Sequence, residues 1–305
     1  MKLEYRIRKY EKSKMYNLPI NGVTVIGFGD EGCVRRIPSI SECKEIYNEI
    51  ISSGYKAHFV TPKLTQEKIV NIVEFLSGID DIKESLILTV NDLGVLYELK
   101  KNNIKPRELL LGRFISREIC DAPWGKNILD EDMLMRDKVQ SNSIADPYKI
   151  KFFATYGVGG VETFLHKDLL ASYDYFQNNG YKTYCHIGNS LVSYSRICQT
   201  LQYKNVSNGS CLEACNTPIP IRLEKIQSPN GDLEDIPDHI NTQDMNMYLM
   251  GNILFANVAT CLEQGIETID TLIIDEWACD RERVQEIIDL SLIHISEPTR
   301  RVVIS

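Results

Sequence analysis

The 305-residue chain lacks any apolar run of the roughly 18–20 residues that a membrane-spanning helix requires, which excludes a helical span. Its polar start, MKLEYRIRKYEKSK, has no apolar signal-peptide core, so a soluble cytoplasmic protein is expected. Basic residues are in deficit, 34 Lys and Arg against 42 Asp and Glu, and the net charge of -8 argues against a nucleic-acid surface as the main business of the molecule. Histidines number only five and form no constellation, and neither an HExxH helix nor a Ser-His-Asp or Cys-His grouping stands out. Closely paired CxxC ligands are absent too.

Cysteine, by contrast, is plentiful. Nine without a secretion signal do not read as a disulfide framework, because the cytosol keeps thiols reduced, so each is either a buried small hydrophobe or a ligand. Three of them, Cys198, Cys211 and Cys215, fall within the loop-like stretch Ser193–Pro218, which is too rich in Asn, Ser and Gly for an ordinary helix or strand. Thiolate bonds to a metal would offset the entropy of ordering such a loop. Cys43 and Cys261 lie on apolar helix faces, and Cys120, Cys185 and Cys279 lack ligand spacing, so these five are expected to be structural.

Strand-like runs alternate with helical periodicity along the chain: Val23–Phe28, Lys56–Thr61, Ser85–Val90, Glu108–Arg113, Lys151–Tyr156, Lys182–Ile187, Met247–Met250 and Thr271–Asp275. A capping box at Ser39 and Glu42 opens a helix that stops at Gly54, and further helices are expected over 66–76, 93–102, 166–179, 253–264 and 281–289. Residues 1–20 offer only a short candidate strand at Leu3, Tyr5 and Ile7. Eight strands in βα rhythm favour a parallel (β/α)8-like barrel, incomplete or distorted in places, over an open doubly wound sheet. One domain over residues 1–289 is expected, with 114–150 and 219–246 as polar surface excursions. Leu290–Arg300, LSLIHISEPTR, reads as the in-frame translation of a transposase-type sequencing adapter, so residues 290–305 are set aside as an artefact.

In a parallel barrel the loops after the strands share the carboxyl face. Cys33, after the first confident strand, therefore joins Cys198, Cys211 and Cys215, after the sixth, on that face, and the four thiols are the candidate ligand set. Gaps of twelve and three residues depart from the two-residue spacing common at zinc, which favours a 4Fe-4S cluster, with structural zinc or unrelated buried thiols as the alternatives. Gly27, Gly29 and Gly32 spell GxGxxG, yet Asp30 and Glu31 would put carboxylates into a phosphate cradle, and a tight turn explains the glycines better. Asn91 and Asp92 are expected to cap a helix, although Asp92 could face a substrate. Arg113 is read as a salt-bridge partner or an anion ligand, Arg196 as a counter-charge to the thiolates, Glu162 as a weak acid or base on the glycine-rich turn YGVGGVE, and His186 as a satisfied polar core residue.

The segments GDEGCVRR (29–36), LTVNDLGVL (88–96), SYSRICQTLQ and SCLEACNTP (193–218) resemble the collagenase-like U-type peptidase family 32, and within it the iron-sulfur accessory branch of dioxygen-independent ubiquinone hydroxylation. The likeness spans roughly residues 23–289 and is loose outside those motifs. It implies a 4Fe-4S cluster on Cys33, Cys198, Cys211 and Cys215, a second family member as heterodimeric partner, and hydroxylation of a quinone precursor or of tRNA uridine. Catalytic residues are left unassigned. The family's peptidase label, a hydrolase reading, finds no nucleophile among these residues.

Overall fold

The computed structural model describes residues 1–16, 18, 21–79, 82–118, 141–195, 197–206, 211, 213–222, 225–227, 232–235, 247–257, 266–278 and 285. Eight parallel strands close a barrel: β1 (Lys2–Arg6), β2 (Val23–Gly29), β3 (Lys56–Thr61), β4 (Leu86–Val90), β5 (Glu108–Leu111), β6 (Gly160–Phe164), β7 (Lys182–His186) and a last strand, Thr271–Asp275, which returns to pair with β1. Helices between strands complete a (β/α)8 architecture, as expected.

The alternation in each strand shows how the sequence builds this wall. On β4, Leu86, Leu88 and Val90 join the large apolar layer under the helices, while Ile87 points inward to meet Val25, Leu110, Tyr184 and Ile273 in a small interior cluster. Ser39 caps the helix Ile40–Ser52 with Glu42 as a complete capping box, and Gly54 follows in the left-handed region, φ 86°. Its buried face is Cys43, Ile46, Tyr47 and Ile50.

Three expectations are corrected. Lys151–Tyr156 is not a strand: Asp146 accepts from the Tyr148 and Lys149 amides ahead of Pro147, so Pro147–Ala154 is a helix burying Ile150 and Phe153, and the barrel strand comes later, at Gly160. YGVGGVE therefore turns from helix into strand at the amino end, away from the carboxyl face. Ile253 does not begin a helix either. Ile253–Asn257 is a strand in which Ile253 and Phe255 are buried at period two; residues 258–265 of the expected helix lie outside the described residues.

Met247–Met250 is a strand, but not of the barrel. Between β7 and the last barrel strand the chain makes a separate antiparallel sheet from β8 (Asn189–Tyr194), β9 (Ile219–Ile221), β12 (Met247–Met250) and β13 (Ile253–Asn257), in the order β8-β13-β12-β9. The excursion also holds a hairpin of β10 (Lys225–Gln227) and β11 (Leu233–Asp235), leaving Thr271–Asp275 as β14. The eighth barrel strand is instead β1, whose Leu3, Tyr5 and Ile7 are buried. The cysteine loop thus follows the seventh strand rather than the sixth. No helix among the described residues is long and apolar enough to cross a membrane. Arg281–Asp289 (apart from Gln285) and residues 290–305 lie outside the described residues, as do Cys120, Cys261 and Cys279.

Candidate functional site

The antiparallel sheet packs over the carboxyl mouth of the barrel. Phe114, just past β5, stacks on Tyr194 with ring centroids 4.3 Å apart, Phe255 packs against Trp277, and Phe114, Cys215, Met250, Ile253 and Phe255 form their own buried cluster. Gly251 and Asn252 make the two-residue hairpin turn between β12 and β13, with Gly251 at φ 69° in the first central place.

Three cysteine-bearing segments meet at this turn. A side chain on Gly32 would collide with Ile253 and Asn252, so the absence of one lets the Cys33 loop lie against the hairpin. Thr200, two residues past Cys198, exchanges hydrogen bonds of 2.9 Å with Gly251 in both directions, and the Asn252 side-chain amide donates to the Ser195 carbonyl. The Cys215 sulfur lies 3.9 Å from where a Gly251 β-carbon would stand. Cys211, four positions upstream, is exposed.

Burial, helped by the Asp30 charge, pushes the Cys33 thiol up to about 11. Metal or cluster assembly would have to displace that proton. Asp30 shapes the loop by accepting from the Gly32 and Cys33 amides at 2.8 Å. Arg8 and Arg36 both aim guanidinium N–H groups at the Cys215 sulfur, at 3.4 and 3.6 Å. Arg196, the expected counter-charge, lies outside the described residues.

No three thiols among the described residues lie within 4.8 Å of one another, as the corners of a tetrahedral zinc site would have to, so the structure does not draw the candidate cysteines into one ligand set. The N–H groups directed at the Cys215 sulfur are of the kind that accompany a thiolate ligand of either zinc or a cluster.

Cys33 and Cys198 also line one open cavity of about 1080 Å3, with Lys63, Asn91, Phe114 and Tyr194 among its other walls. Lys63 sits 4.5 Å over the Tyr194 ring. Asp92 caps the helix Leu93–Lys101 as expected, accepting from Gly94 at 2.7 Å and also from Leu64. Asn91 is buried, donating to the Thr61 carbonyl and accepting from the Phe114 amide, so it ties the ends of three strands together.

Beneath the mouth lies a group that sequence reasoning did not assemble. Arg6 binds Glu162 at 2.7 Å and Glu4 at 2.8 Å; Glu4 reaches His58 at 2.6 Å, and His58 reaches Thr89, which donates to Glu162. His186 joins Glu162 to Asp275, and Asn189 links Asp275 to Arg113, which grips Glu31 with two N–H groups. Arg113 is thus the buried salt-bridge partner and His186 the satisfied core residue that were expected. Glu162 is neither on the turn nor free: burial alone would raise its pKa, but Arg6 and His186 hold the carboxyl well below the usual range. Glu31, Glu162 and His186 do converge as a possible cation group, yet Arg6 and Arg113 already neutralise them.

One signal could have found this network: each of five barrel strands carries polar residues among apolar ones, as in KLEYR, KAHFVT, LILTV, GVETF and KTYCH. On a strand buried on both faces such a residue must find a partner inside. Glu118 was missed as well. It accepts from Thr163 at 2.7 Å and Asn142 at 2.8 Å, and burial pushes it up to about 8. Of the cysteines expected to be structural, Cys43 and Cys185 are buried.

No protein-family profile matches the chain, and no curated protein does. Among solved structures it is similar to a dihydropteroate synthase from Thermus thermophilus, crystallised with 4-aminobenzoate, at 10% identity and a TM-score of 0.41, covering 95% of this chain and 94% of that one. The barrel itself is read from its own strand pairing, which closes without a gap from β1 to β14.

Proposed function

We propose that the chain is a 4Fe-4S protein of the U32 type, akin to the UbiV-like accessory branch, which supports a dioxygen-independent hydroxylation beside a second family member. The observation that carries this reading is the meeting of the Cys33, Cys198 and Cys215 segments at the Gly251–Asn252 turn, with two guanidinium groups on the Cys215 sulfur. Cys33, Cys198, Cys211 and Cys215 would hold the cluster, and the cluster would supply electrons or help to handle an oxygen donor. A cavity of about 1080 Å3 bordered by two of the thiols and an aromatic pair favours a small-molecule substrate over tRNA, in line with the net charge of -8. A hydrolase reading has no activated nucleophile to stand on among the described residues.

Protein purified without air is expected to carry about four iron and four acid-labile sulfide per chain. Cys211→Ser should lose both, whereas Cys43→Ser, on the buried face of the helix Ile40–Ser52, should keep them. Zinc without sulfide, or equal iron loss in the two variants, would end the proposal.

A further inference from the structure

Asp30, Arg8 and Arg36 do more than place N–H groups on the Cys215 sulfur. The Asp30 carboxylate divides its work: Oδ1 accepts from the Gly32 and Cys33 amides, and Oδ2 accepts from Arg8 Nε at 3.2 Å. Arg8 then donates Nη1 to the Cys215 carbonyl and Nη2 to the Cys215 sulfur. One short chain of contacts therefore joins two loops that are far apart in sequence. Arg36, three residues past Cys33, gives Nη2 to the Cys215 sulfur and to Asn216 Oδ1. Its Nε is buried without a hydrogen-bond partner, 3.9 Å from Asp30, in a side chain only 8% exposed. An arginine guanidinium keeps its charge throughout the ordinary pH range.

We propose that Asp30 and Arg8 form a clamp that sets the spacing of the Cys33 and Cys215 loops before any cofactor arrives, and that Arg36, with Arg8, donates to the Cys215 sulfur and so governs how readily the bound centre takes up an electron. The second half rests on the cluster reading; the first does not. The physical basis is the fork of arginine, which can hold a carboxylate, a carbonyl and a sulfur at fixed angles where lysine offers one point charge. A cation and N–H donors at a ligand sulfur favour the more negative, reduced cluster, so their loss lowers the reduction potential. The step concerned is uptake of one electron from a mediator, with no proton or leaving group.

The clamp is tested on cluster-free full-length chain by hydrogen exchange. Arg8→Gln should speed exchange about tenfold or more in both the 30–33 and the 213–216 amides, an opening of about 1.4 kcal/mol. Asp30→Asn, which keeps an acceptor for the Cys33 amide but drops the charge, should loosen 213–216, and Arg8→Lys should not restore it. Lys101→Gln, on a remote helix, should change neither. Loosening confined to the mutated loop would overturn the clamp. For the second half, air-free protein with Arg36→Gln should retain its iron and sulfide and its melting temperature while its midpoint potential moves negative. An unchanged potential with an intact cluster would overturn the sulfur-donor role. A wild-type chain without iron and sulfide would overturn that half together with the proposed function, and the exchange results would still decide the clamp.

Discussion

Arg6→Met is expected to cost about 3–5 kcal/mol of stability, read as a fall in urea midpoint at constant slope. That is a large part of the roughly 5–15 kcal/mol that separates folded from unfolded domains. The cause lies in what the side chain leaves behind. Arg6 is the shared cation of Glu4 and Glu162, both with fully buried side chains, and without it two carboxylates face each other inside the barrel with no cation in direct contact among the described residues beyond what the histidines His58 and His186 can offer. A double variant, Arg6→Met with Glu162→Leu, should recover part of the loss, because it removes an uncompensated charge along with its partner. A single variant that costs under about 1 kcal/mol would mean that water or rearrangement satisfies the carboxylates, contrary to the closed network.

The same network sets a pH window. Burial and the Arg113 charge disfavour protonated His186, but Asp275 and Glu162 outweigh them and raise its pKa above 6.5. A raised basic group stabilises the fold fully below its unfolded value and loses that contribution as pH rises through the folded value. Glu4 and Glu162 work the opposite way. Burial pushes both up, their cationic neighbours push them further down, and their contribution is present above the ordinary carboxylate range and lost as pH falls below it. Urea midpoints should therefore fall at acid pH, as Glu4 and Glu162 take up protons, and again as the pH rises above about 6.5 and His186 gives its proton up. Glu118, held up to about 8 by burial, adds a decline of its own between the ordinary carboxylate range and that value. In His186→Gln the alkaline decline should be smaller than in the parent; an unaltered decline would assign it to Glu118.

Gly29→Ala is the second large effect, about 2–4 kcal/mol; under the proposed function it would also lower the iron content. Gly29 sits at φ 95°, and a β-carbon there would collide with the Val60 carbonyl oxygen on the neighbouring strand. Since backbone rather than a flexible side chain is struck, β2 must shift or the loop carrying Asp30 and Cys33 must. Gly54→Ala provides the comparison: its φ of 86° is similar, but its surroundings are open, so only the left-handed backbone term of about 1–2 kcal/mol applies. Equal costs at the two positions would show that the Val60 contact decides nothing. The GxGxxG spelling is thereby explained without a nucleotide. Gly27 leaves room for Glu4 and Arg6, Gly29 turns past Val60, and Gly32 admits the hairpin.

Local pattern alone determined the βα rhythm, the capping box at Ser39, the cap at Asp92 and the place of Cys33 just past a barrel strand, because these depend on residues within a few positions of each other. It misread KFFATY, where Asp146 and Pro147 outvote the β-prone residues that follow, and ILFAN, where an apolar run fits either period until neighbouring strands choose one. Only the tertiary structure decided that KLEYR closes the barrel, that the hairpin at Gly251 receives three cysteine segments, and that Glu4, Arg6, His58, Glu162, His186 and Asp275 share one interior. Those outcomes are contacts between distant parts of the chain, as from Arg6 across 156 positions to Glu162 and across 180 to His186. A buried charge announces that it needs a partner, but its own neighbours in sequence say nothing about which one closure of the barrel will bring.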